Sequence, residues 1–330
     1  MIGSLKDFKT QSHFTDLILQ RGLSFMIIRK TLVAAAVLVA SAVPPSHGQY
    51  LGLKLRGDTG LQSGSQPGPG VYFVLPLYYR ADYSSVRLAD GRELSGDVNT
   101  IVNLFAPAIA VTTKWKVLGA TYGFQIVPPF MRQRLTAIDS RIEKSNSYGF
   151  ADMFVQPISL GWRLKHADFQ AGYGFYAPTG SGDRSLDMWV HELIGGTTVF
   201  LDAAHTWHAA GTVYYDINQR KRSDDIKVGD FLTWQGGAGR SFLKGLGSAG
   251  VAYLAQWKMT RDTGTDIGPL LGGGKNKAIG VGPEVNVPLF KKGSVVGLFG
   301  ARYMFEVKNV SNFQGQNLIM TLTIARLSGM

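Results

Sequence analysis

The chain has 330 residues, with 34 Lys and Arg against 23 Asp and Glu, a formal net charge of +11 and no cysteine. The lack of cysteine excludes a disulfide-stapled scaffold and a thiolate metal site. A basic balance can indicate nucleic acid. Here, however, the positive residues are scattered through predicted loops and turns, so nucleic acid is not an expected partner.

Residues 26–48 have the pattern of a secretory signal peptide. Met26-Ile-Ile-Arg29-Lys30 is a basic start, and the apolar run Leu32–Val43 that follows is too short to span a bilayer as a helix. Small residues then precede a predicted cleavage before Gln49. Residues 1–25 carry no export pattern, so we expect translation to start at Met26 and residues 1–25 to be a mis-assigned extension; a genuine cytosolic extension is the alternative.

The mature chain would have 282 residues, because 48 of the 330 precede Gln49, and it would carry a charge of +8. We divide it into a periplasmic plug segment, 49–70, and a barrel, 71–330. The segment Gln49–Gly70 contains the flexible run Gly64-Ser-Gln-Pro-Gly-Pro-Gly70 and is expected to begin on the periplasmic side.

Twelve strand-like segments follow residue 70, and their connections alternate between long and short. We predict strands at 71–80, 99–113, 117–130, 152–164, 168–177, 188–202, 206–218, 231–243, 248–262, 277–290, 295–308 and 317–327. The long connections are 81–98, 131–151, 178–187, 219–230, 263–276 and 309–316. This rhythm is typical of outer-membrane barrels, with long loops at one rim and tight turns at the other. It predicts an all-β fold, a 12-stranded antiparallel transmembrane barrel.

In most of these strands apolar and polar residues alternate with a period of two, which supports this fold. In the second, fourth and sixth strands the alternation is ambiguous, so that we cannot say whether Glu192 and Gln156 face inward or outward. The six tryptophans divide evenly between the two rims, as an interfacial aromatic girdle requires. Trp115, Trp162 and Trp207 lie beside short turns, and Trp189, Trp234 and Trp257 lie nearer the long loops.

The same alternation predicts which side chains line the lumen. They are Tyr72, Tyr78, Gln125, Gln170, Tyr176, His208, Tyr214, Asp216, Gln235, Gln256, Lys258, Glu284, Asn286, Arg302 and Glu306. These residues could form an aromatic and polar passage. The charged ones could instead be a structural network in which Lys258 pairs with Glu284 and Arg302 with Glu306, and the cost of unpaired buried charge favours this second interpretation.

The sequence contains only incomplete matches to catalytic and metal-binding motifs. His191-Glu192 lacks the second histidine of a zinc protease, and Arg56-Gly57-Asp58 is a tripeptide expected by chance. His205 and His208 would point to opposite faces of a strand. His208 and Ser241 could meet only near the short-turn rim. We therefore expect no catalytic residue, no metal and no cofactor.

Several segments resemble one family of outer-membrane proteins. The likeness is strongest in Asp152–Pro157 and Gly172–Gly180 and continues in Gly250–Asp262 and Ile279–Glu284. In their order these segments resemble the "putative MetA-pathway of phenol degradation" family, over nearly the whole mature barrel. The resemblance implies a transporter-like barrel related to importers of hydrophobic compounds, and it carries no catalytic residues with it.

Together these features predict an outer-membrane channel of a Gram-negative bacterium that takes up small hydrophobic or aromatic compounds by passive diffusion through a narrow, gated barrel. Twelve strands are intermediate between a filled barrel and an open aqueous pore. The expected partners are outer-membrane lipids, lipopolysaccharide, the barrel-assembly machinery and the small ligand. The alternatives are a structural or envelope-interaction barrel with a blocked lumen and a lipid-modifying enzyme.

Overall fold

A computed structural model describes residues 52–75, 78–93, 98–137, 142–267, 275–291 and 294–327. Within these residues every strand pairs antiparallel with the next strand in the sequence, and the last strand pairs with the first. The sheet therefore closes on itself, and the predicted 12-stranded antiparallel barrel is confirmed. Closure satisfies the backbone hydrogen bonds that a lipid environment could not satisfy. The predicted signal peptide and residues 1–25 lie outside the described residues.

The barrel strands take the following bounds. They are β1 (Gly70–Val74 and Tyr78–Arg87), β2 (Val98–Phe105 and Ala108–Val117), β3 (Ala120–Val127 and Phe130–Ala137), β4 (Ile142–Ser145, Gly149–Phe150 and Met153–Arg163), β5 (Ala167–Ala177), β6 (Val190–Phe200), β7 (Trp207–Asn218), β8 (Phe231–Phe242), β9 (Gly247–Lys258), β10 (Lys277–Lys291), β11 (Ser294–Val310) and β12 (Asn312–Leu327).

The first three strands are interrupted at the same height. Pro107 breaks β2 and the pair Pro128-Pro129 breaks β3, because proline has no N–H to donate to a neighbouring strand. In β1 the interruption also inserts one residue. Val74 and Tyr78 are four residues apart, whereas their partners on β12, Thr323 and Met320, are three apart. This bulge reverses which side chains of β1 point inward.

The tight turns lie at one rim and the longer connections at the other. Leu118 and Gly119 both have positive φ, 50° and 77°, so that a two-residue turn joins β2 to β3 with the twist that hairpins favour. The predicted loop 309–316 is wrong. β11 runs to Val310 and β12 starts at Asn312, because these residues pair with the outer neighbours β10 and β1 rather than with each other.

The outer face of the barrel is apolar, as a lipid-facing surface must be. Large side chains such as Leu193, Val213, Val251 and Phe305 are all at least 40% exposed. The inner face carries buried polar side chains instead. Within the described residues no helix is long and apolar enough to cross a membrane.

Two long connections fold over one end of the barrel. Residues 178–189 and 219–230 are joined where Arg222 pairs with the Asp187 carboxylate at 2.7 Å and the Ser223 amide donates to it at 2.9 Å. Partial burial alone would raise the pKa of Asp187, but the hydrogen bonds from Ser223 and Arg222 outweigh it and lower that pKa below its usual value. The loop junction is therefore held by an ionised carboxylate.

A substitution on the lipid face should be distinguishable from one on the lumen face at the same height. Leu193 is 49% exposed on the outer face of β6, and its neighbour Ile194 lines the internal cavity. We expect Leu193→Arg to lower the free energy of unfolding by about 2–4 kcal/mol, because a guanidinium must enter hydrocarbon. Ile194→Arg should cost less. Urea unfolding in lipid vesicles measures both, and equal losses would contradict the assigned faces.

The loop junction should resist mild acid. Because folding lowers the pKa of Asp187, its contribution is complete above the ordinary Asp pKa of about 3.9 and is lost only as pH falls through the lower folded value. Hydrogen-exchange protection of the Ser223 amide should persist at pH about 4 and disappear below it. Asp187→Asn should weaken that protection and remove its acid dependence. The control is Asp183→Asn in the same connection, which should change neither.

Candidate functional site: the plugged lumen

The segment 52–69, called the plug from here on, lies inside the barrel. Leu53 packs at the long-loop end against a buried cluster that includes Val190, Ile226 and Phe231. Gln66 lies at the other end and bonds to Ser159. The plug thus runs down the lumen and delivers the chain to β1 at the short-turn rim. Its first described residues lie at the long-loop end, and residues 49–51, where the segment was expected to begin on the periplasmic side, lie outside the described residues.

Arg56 ties the upper part of the plug to the barrel wall. Its Nη1 is 2.9 Å from Glu306 Oε1, and its Nη2 donates to Asn312 Oδ1 at 2.7 Å. It lies where β11 and β12 separate, since these strands pair with each other only as far as Phe305 and Gln316. The guanidinium therefore bridges two strands whose backbones do not pair with each other at this height.

A second anchor holds the middle of the plug. Arg302 donates to the Glu284 carboxylate at 2.8 Å and to the Gly57 carbonyl at 2.5 Å. The Leu61 amide donates to the same carboxylate at 3.1 Å. The carboxylate of Glu284 thus accepts bonds from both the wall and the plug, and the wall pair fixes the height of the plug in the barrel.

The observed ion pairs differ from the two expected within the wall. Arg302 pairs with Glu284 rather than Glu306, and Lys258 pairs with Asp262 at 2.6 Å rather than with Glu284. The predicted pairs were chosen from the alternation of side chains within the wall strands, and this alternation does not show which wall residues the plug contacts. Once Arg56 of the plug occupies the Glu306 carboxylate, Arg302 takes the neighbouring Glu284.

Lys54 lies in a cluster of acidic and aromatic side chains. Its Nζ is 3.0 Å from Asp58 Oδ2, 3.9 Å from Glu192 Oε2 and 3.7 Å from the centroid of the Tyr214 ring. Glu192 on β6 stands directly opposite Asp216 on β7 in the strand register. Two carboxylates on paired positions repel each other, so this part of the wall depends on a cation from the plug.

The lower plug is held by hydrogen bonds in which no carboxylate takes part. The carbonyl of Ser63 accepts hydrogen bonds from Thr212 at 2.8 Å and from Gln170 at 2.5 Å. The Gln66 amide donates to the Ser159 hydroxyl at 3.0 Å, and Arg163 donates to the Gln66 carbonyl at 2.9 Å. This end of the plug can therefore separate from the wall without exposing an unpaired carboxylate.

The plug leaves part of the lumen open. A cavity of about 490 Å³ lies between the plug and the walls of β1–β7 and β12, and its lining includes the aliphatic residues Leu104 and Met131 and the amides of Gln125 and Gln170. A smaller pocket of about 350 Å³ lies at the short-turn rim and is lined by Lys114, Lys116 and Arg163 among others. Gln66 and Pro67 line both spaces and separate them.

The residues predicted to line the lumen fall into three groups. The cavity is lined by Gln125, Gln170, Tyr176 and Tyr214. Those bonded to the plug or buried beside it are Tyr72, Asp216, Gln235, Gln256, Glu284, Arg302 and Glu306, together with Asn286, which donates to Glu284. Lys258 is buried against Asp262, away from the cavity.

The prediction that the Tyr78 side chain lines the lumen is wrong. Its neighbour Tyr79 is only 3% exposed and belongs to the buried cluster inside the barrel, whereas Tyr78 lies on the opposite face and bonds to Asn103. The bulge between Val74 and Tyr78 reverses the alternation, and simple counting from Tyr72 carries the wrong phase across it.

Several site residues escaped prediction. Gln156 and Glu192 both line the cavity, but their strands gave no clear alternation. Arg56 and Asp58 belong to the tripeptide Arg56-Gly57-Asp58, which the sequence analysis attributes to chance, and Lys54 lies two residues before it. The signal available was the alternation of charged residues Lys54-x-Arg56-x-Asp58 in a segment otherwise rich in glycine.

The other residues singled out in the sequence, which are the tryptophans, His208 and Ser241, lie away from the cavity. The tryptophans occupy outward positions, and Trp115, Trp189, Trp207 and Trp234 are each at least 40% exposed. His208 and Ser241 do meet, with 3.4 Å between imidazole Nδ1 and the hydroxyl, at the short-turn end. In the described part of the chain no group of three or more His, Cys, Asp or Glu is placed to hold a metal ion.

The chain is similar to one family model and to several solved structures. The family model described as "Putative MetA-pathway of phenol degradation" matches residues 69–322. An outer-membrane channel from Pseudomonas putida F1 superposes with a TM-score of 0.67 at 14% identity, covering 80% of this chain and 97% of that one. The β-domain of a Bordetella autotransporter gives 0.40 at 12% identity, with 77% and 98% covered. The comparison with curated proteins found no match.

Gly60 offers a direct test of plug seating. A Cβ at this position would overlap the Glu284 carboxylate and the Arg302 guanidinium, whereas a Cβ on Gly68 would have no atom nearer than 4.0 Å. Overpacking of this kind costs about 1–3 kcal/mol. We expect Gly60→Ala to release the plug, so that protease cleaves segment 52–69 about tenfold faster while the barrel stays intact.

Gly68→Ala is the matched control and should be cleaved at the rate of the unsubstituted chain. Heat-modifiable migration on gels checks that each barrel is folded. Equal cleavage of the Gly60→Ala and Gly68→Ala chains would show that the plug does not depend on the Glu284–Arg302 anchor.

Proposed function

Because the chain belongs to the "Putative MetA-pathway of phenol degradation" family, we propose that it is an outer-membrane channel for the passive uptake of small hydrophobic or aromatic compounds, gated by the plug. The proposal requires no chemistry by the protein. The chain would be delivered to the membrane by the predicted signal peptide and inserted by the barrel-assembly machinery.

The cavity of about 490 Å³ is the observation that carries this proposal. A fully plugged structural barrel would have no reason to keep such a space beside the plug. Its lining combines apolar surface from Leu104, Ala106 and Met131 with amides and phenols from Gln125 and Tyr176. An apolar space with a few polar groups is typical of sites for small organic ligands. Successive weak contacts of this kind suit passage rather than tight capture.

The barrier to passage lies at Gln66. The cavity and the rim pocket share Gln66 and Pro67, so that a compound moving inward must displace this part of the plug. The barrier is held by neutral hydrogen bonds to Ser159 and by Arg163 on the Gln66 carbonyl. A neutral bond contributes about 1 kcal/mol net, and the bond from the charged Arg163 about 1.5–3 kcal/mol. A barrier of this size can open transiently without unfolding the barrel.

A blocked structural barrel is the second candidate, and the dense anchoring of the upper plug favours it. Arg56 and Arg302 tie the plug to Glu306 and Glu284 through charged hydrogen bonds. These pairs would hold the upper plug in place. Under the channel proposal they are the fixed part of the gate, and the segment near Gln66 is the moving part.

The test is uptake by proteoliposomes that contain the refolded mature chain. A neutral aromatic alcohol is compared with a sugar of similar mass, and entry into protein-free liposomes is subtracted. We expect protein-dependent entry of the aromatic alone. Gln66→Ala should raise that entry about three- to tenfold, because its side-chain bonds to Ser159 are lost.

Gln62→Ala is the matched control, since Gln62 is exposed and Gln66 is 7% exposed. It should leave uptake unchanged. Entry of both compounds would make the protein a general porin. Entry of neither into vesicles with a folded barrel, even after Gln66→Ala, would overturn the channel and favour the blocked structural barrel.

A further inference from the structure

The acidic and aromatic cluster around Lys54 has the chemistry of a binding site for an organic ammonium. The Lys54 ammonium stands 3.7 Å from the centre of the Tyr214 ring and 6.0 Å from that of Phe154, in the range of cation–π contacts. It is also 3.0 Å from Asp58 and 3.9 Å from Glu192. The Lys54 ammonium of the plug therefore occupies this position as a ligand would, although it is part of the same chain.

The cluster holds more carboxyl groups than the single ammonium of Lys54 can pair with. Asp58, Glu192 and Asp216 are three carboxylates around one ammonium. Glu192 and Asp216 are 0% and 1% exposed, and none of their four carboxylate oxygens accepts a hydrogen bond from a described residue. A buried carboxyl group whose nearest cation is 3.9 Å away and shared with another carboxylate is only weakly compensated. The cluster therefore has unused capacity for a cation.

The cluster opens onto the cavity. Lys54, Asp58, Glu192 and Tyr214 all line the same space of about 490 Å³ as Phe154 and the aliphatic wall. An ammonium placed at the carboxylates could therefore extend an apolar or aromatic body into the cavity. A bare metal ion fits less well, because hard cations bind to oxygen ligands alone and the Tyr214 ring offers a π face instead.

We propose that the cluster of Asp58, Glu192, Asp216 and Tyr214 binds small organic ammonium compounds, and that Lys54 of the plug occupies this site as an intramolecular competitor. The ammonium of the ligand takes the place of the Lys54 Nζ, and its apolar body lies in the cavity. This deepens the proposed function, because it adds a charged amine to the class of compounds that the lumen receives.

The experiment measures equilibrium binding rather than transport, so that its failure is distinguishable from failure of the channel proposal. Benzylammonium and benzyl alcohol are titrated by calorimetry into the refolded mature chain in detergent. The two probes share the aromatic body and differ in charge. Lys54→Met keeps the length of the side chain and removes its charge, which should tighten benzylammonium binding by about tenfold or more.

Glu192→Gln in the Lys54→Met chain should reverse that gain, and benzyl alcohol should bind all variants alike. Lys144→Met is the matched control, because Lys144 pairs with Asp183 at 3.2 Å outside the barrel. It should leave both affinities unchanged. Equal affinity of the Lys54→Met chain for the two probes would overturn the proposal.

If Lys54→Met does not fold, the unsubstituted chain provides the test. It should bind benzylammonium more tightly than benzyl alcohol, and Glu192→Gln should remove the difference. Equal binding of the two probes by the unsubstituted chain, or a preference that survives Glu192→Gln, would then overturn the proposal.

Discussion

The pairing of charges between the plug and the barrel wall is the interaction on which the lumen depends. Glu306 has its cationic partner on the plug, in Arg56, and Glu192 faces the plug's Lys54. Removal of one member of a buried pair costs about 3–5 kcal/mol, because the other charge is left without compensation. Glu306 and Glu192 of the barrel wall therefore depend on the plug for their compensating cations.

This constraint also explains why the plug is fixed at one end and held more lightly at the other. Its upper half is anchored through Arg56 and the Glu284–Arg302 pair, and its lower half through carbonyls and amides at Ser63 and Gln66. Neutral hydrogen bonds exchange readily with water, whereas separated buried charges do not. We therefore expect the plug to move at the short-turn end, where Gln66 and Pro67 separate the two internal spaces.

The plug also divides the lumen unequally. Its upper part bonds to the inner faces of β8–β12, while the aliphatic residues of the cavity come mainly from β1–β3. The breaks in β2 and β3 at their prolines lie along this open side, where Ala106 and Pro129 line the cavity. The two kinds of wall thus separate two tasks, holding the plug and presenting a surface to a small molecule.

Much of this architecture follows from local sequence, and the exceptions have identifiable causes. Strands such as β10 show their two faces by alternation, since each strand meets lipid outside and polar groups inside. Tyr78 was misplaced because one inserted residue reverses that alternation. The loop 309–316 was misplaced because its residues pair with strands distant in the sequence. The partners of Arg302 and Glu306 were misassigned because the competing cation comes from a plug some 250 residues away.

The number of strands and the inward face of most polar side chains could be predicted from the sequence, because they depend on periodicities that span a few neighbouring residues. The three-dimensional fold was needed to show which carboxylates Lys54 and Arg56 of the plug meet, and where space remains beside them. Those contacts join residues far apart in the chain, and their pairing depends on the distances and burial that the closed barrel creates.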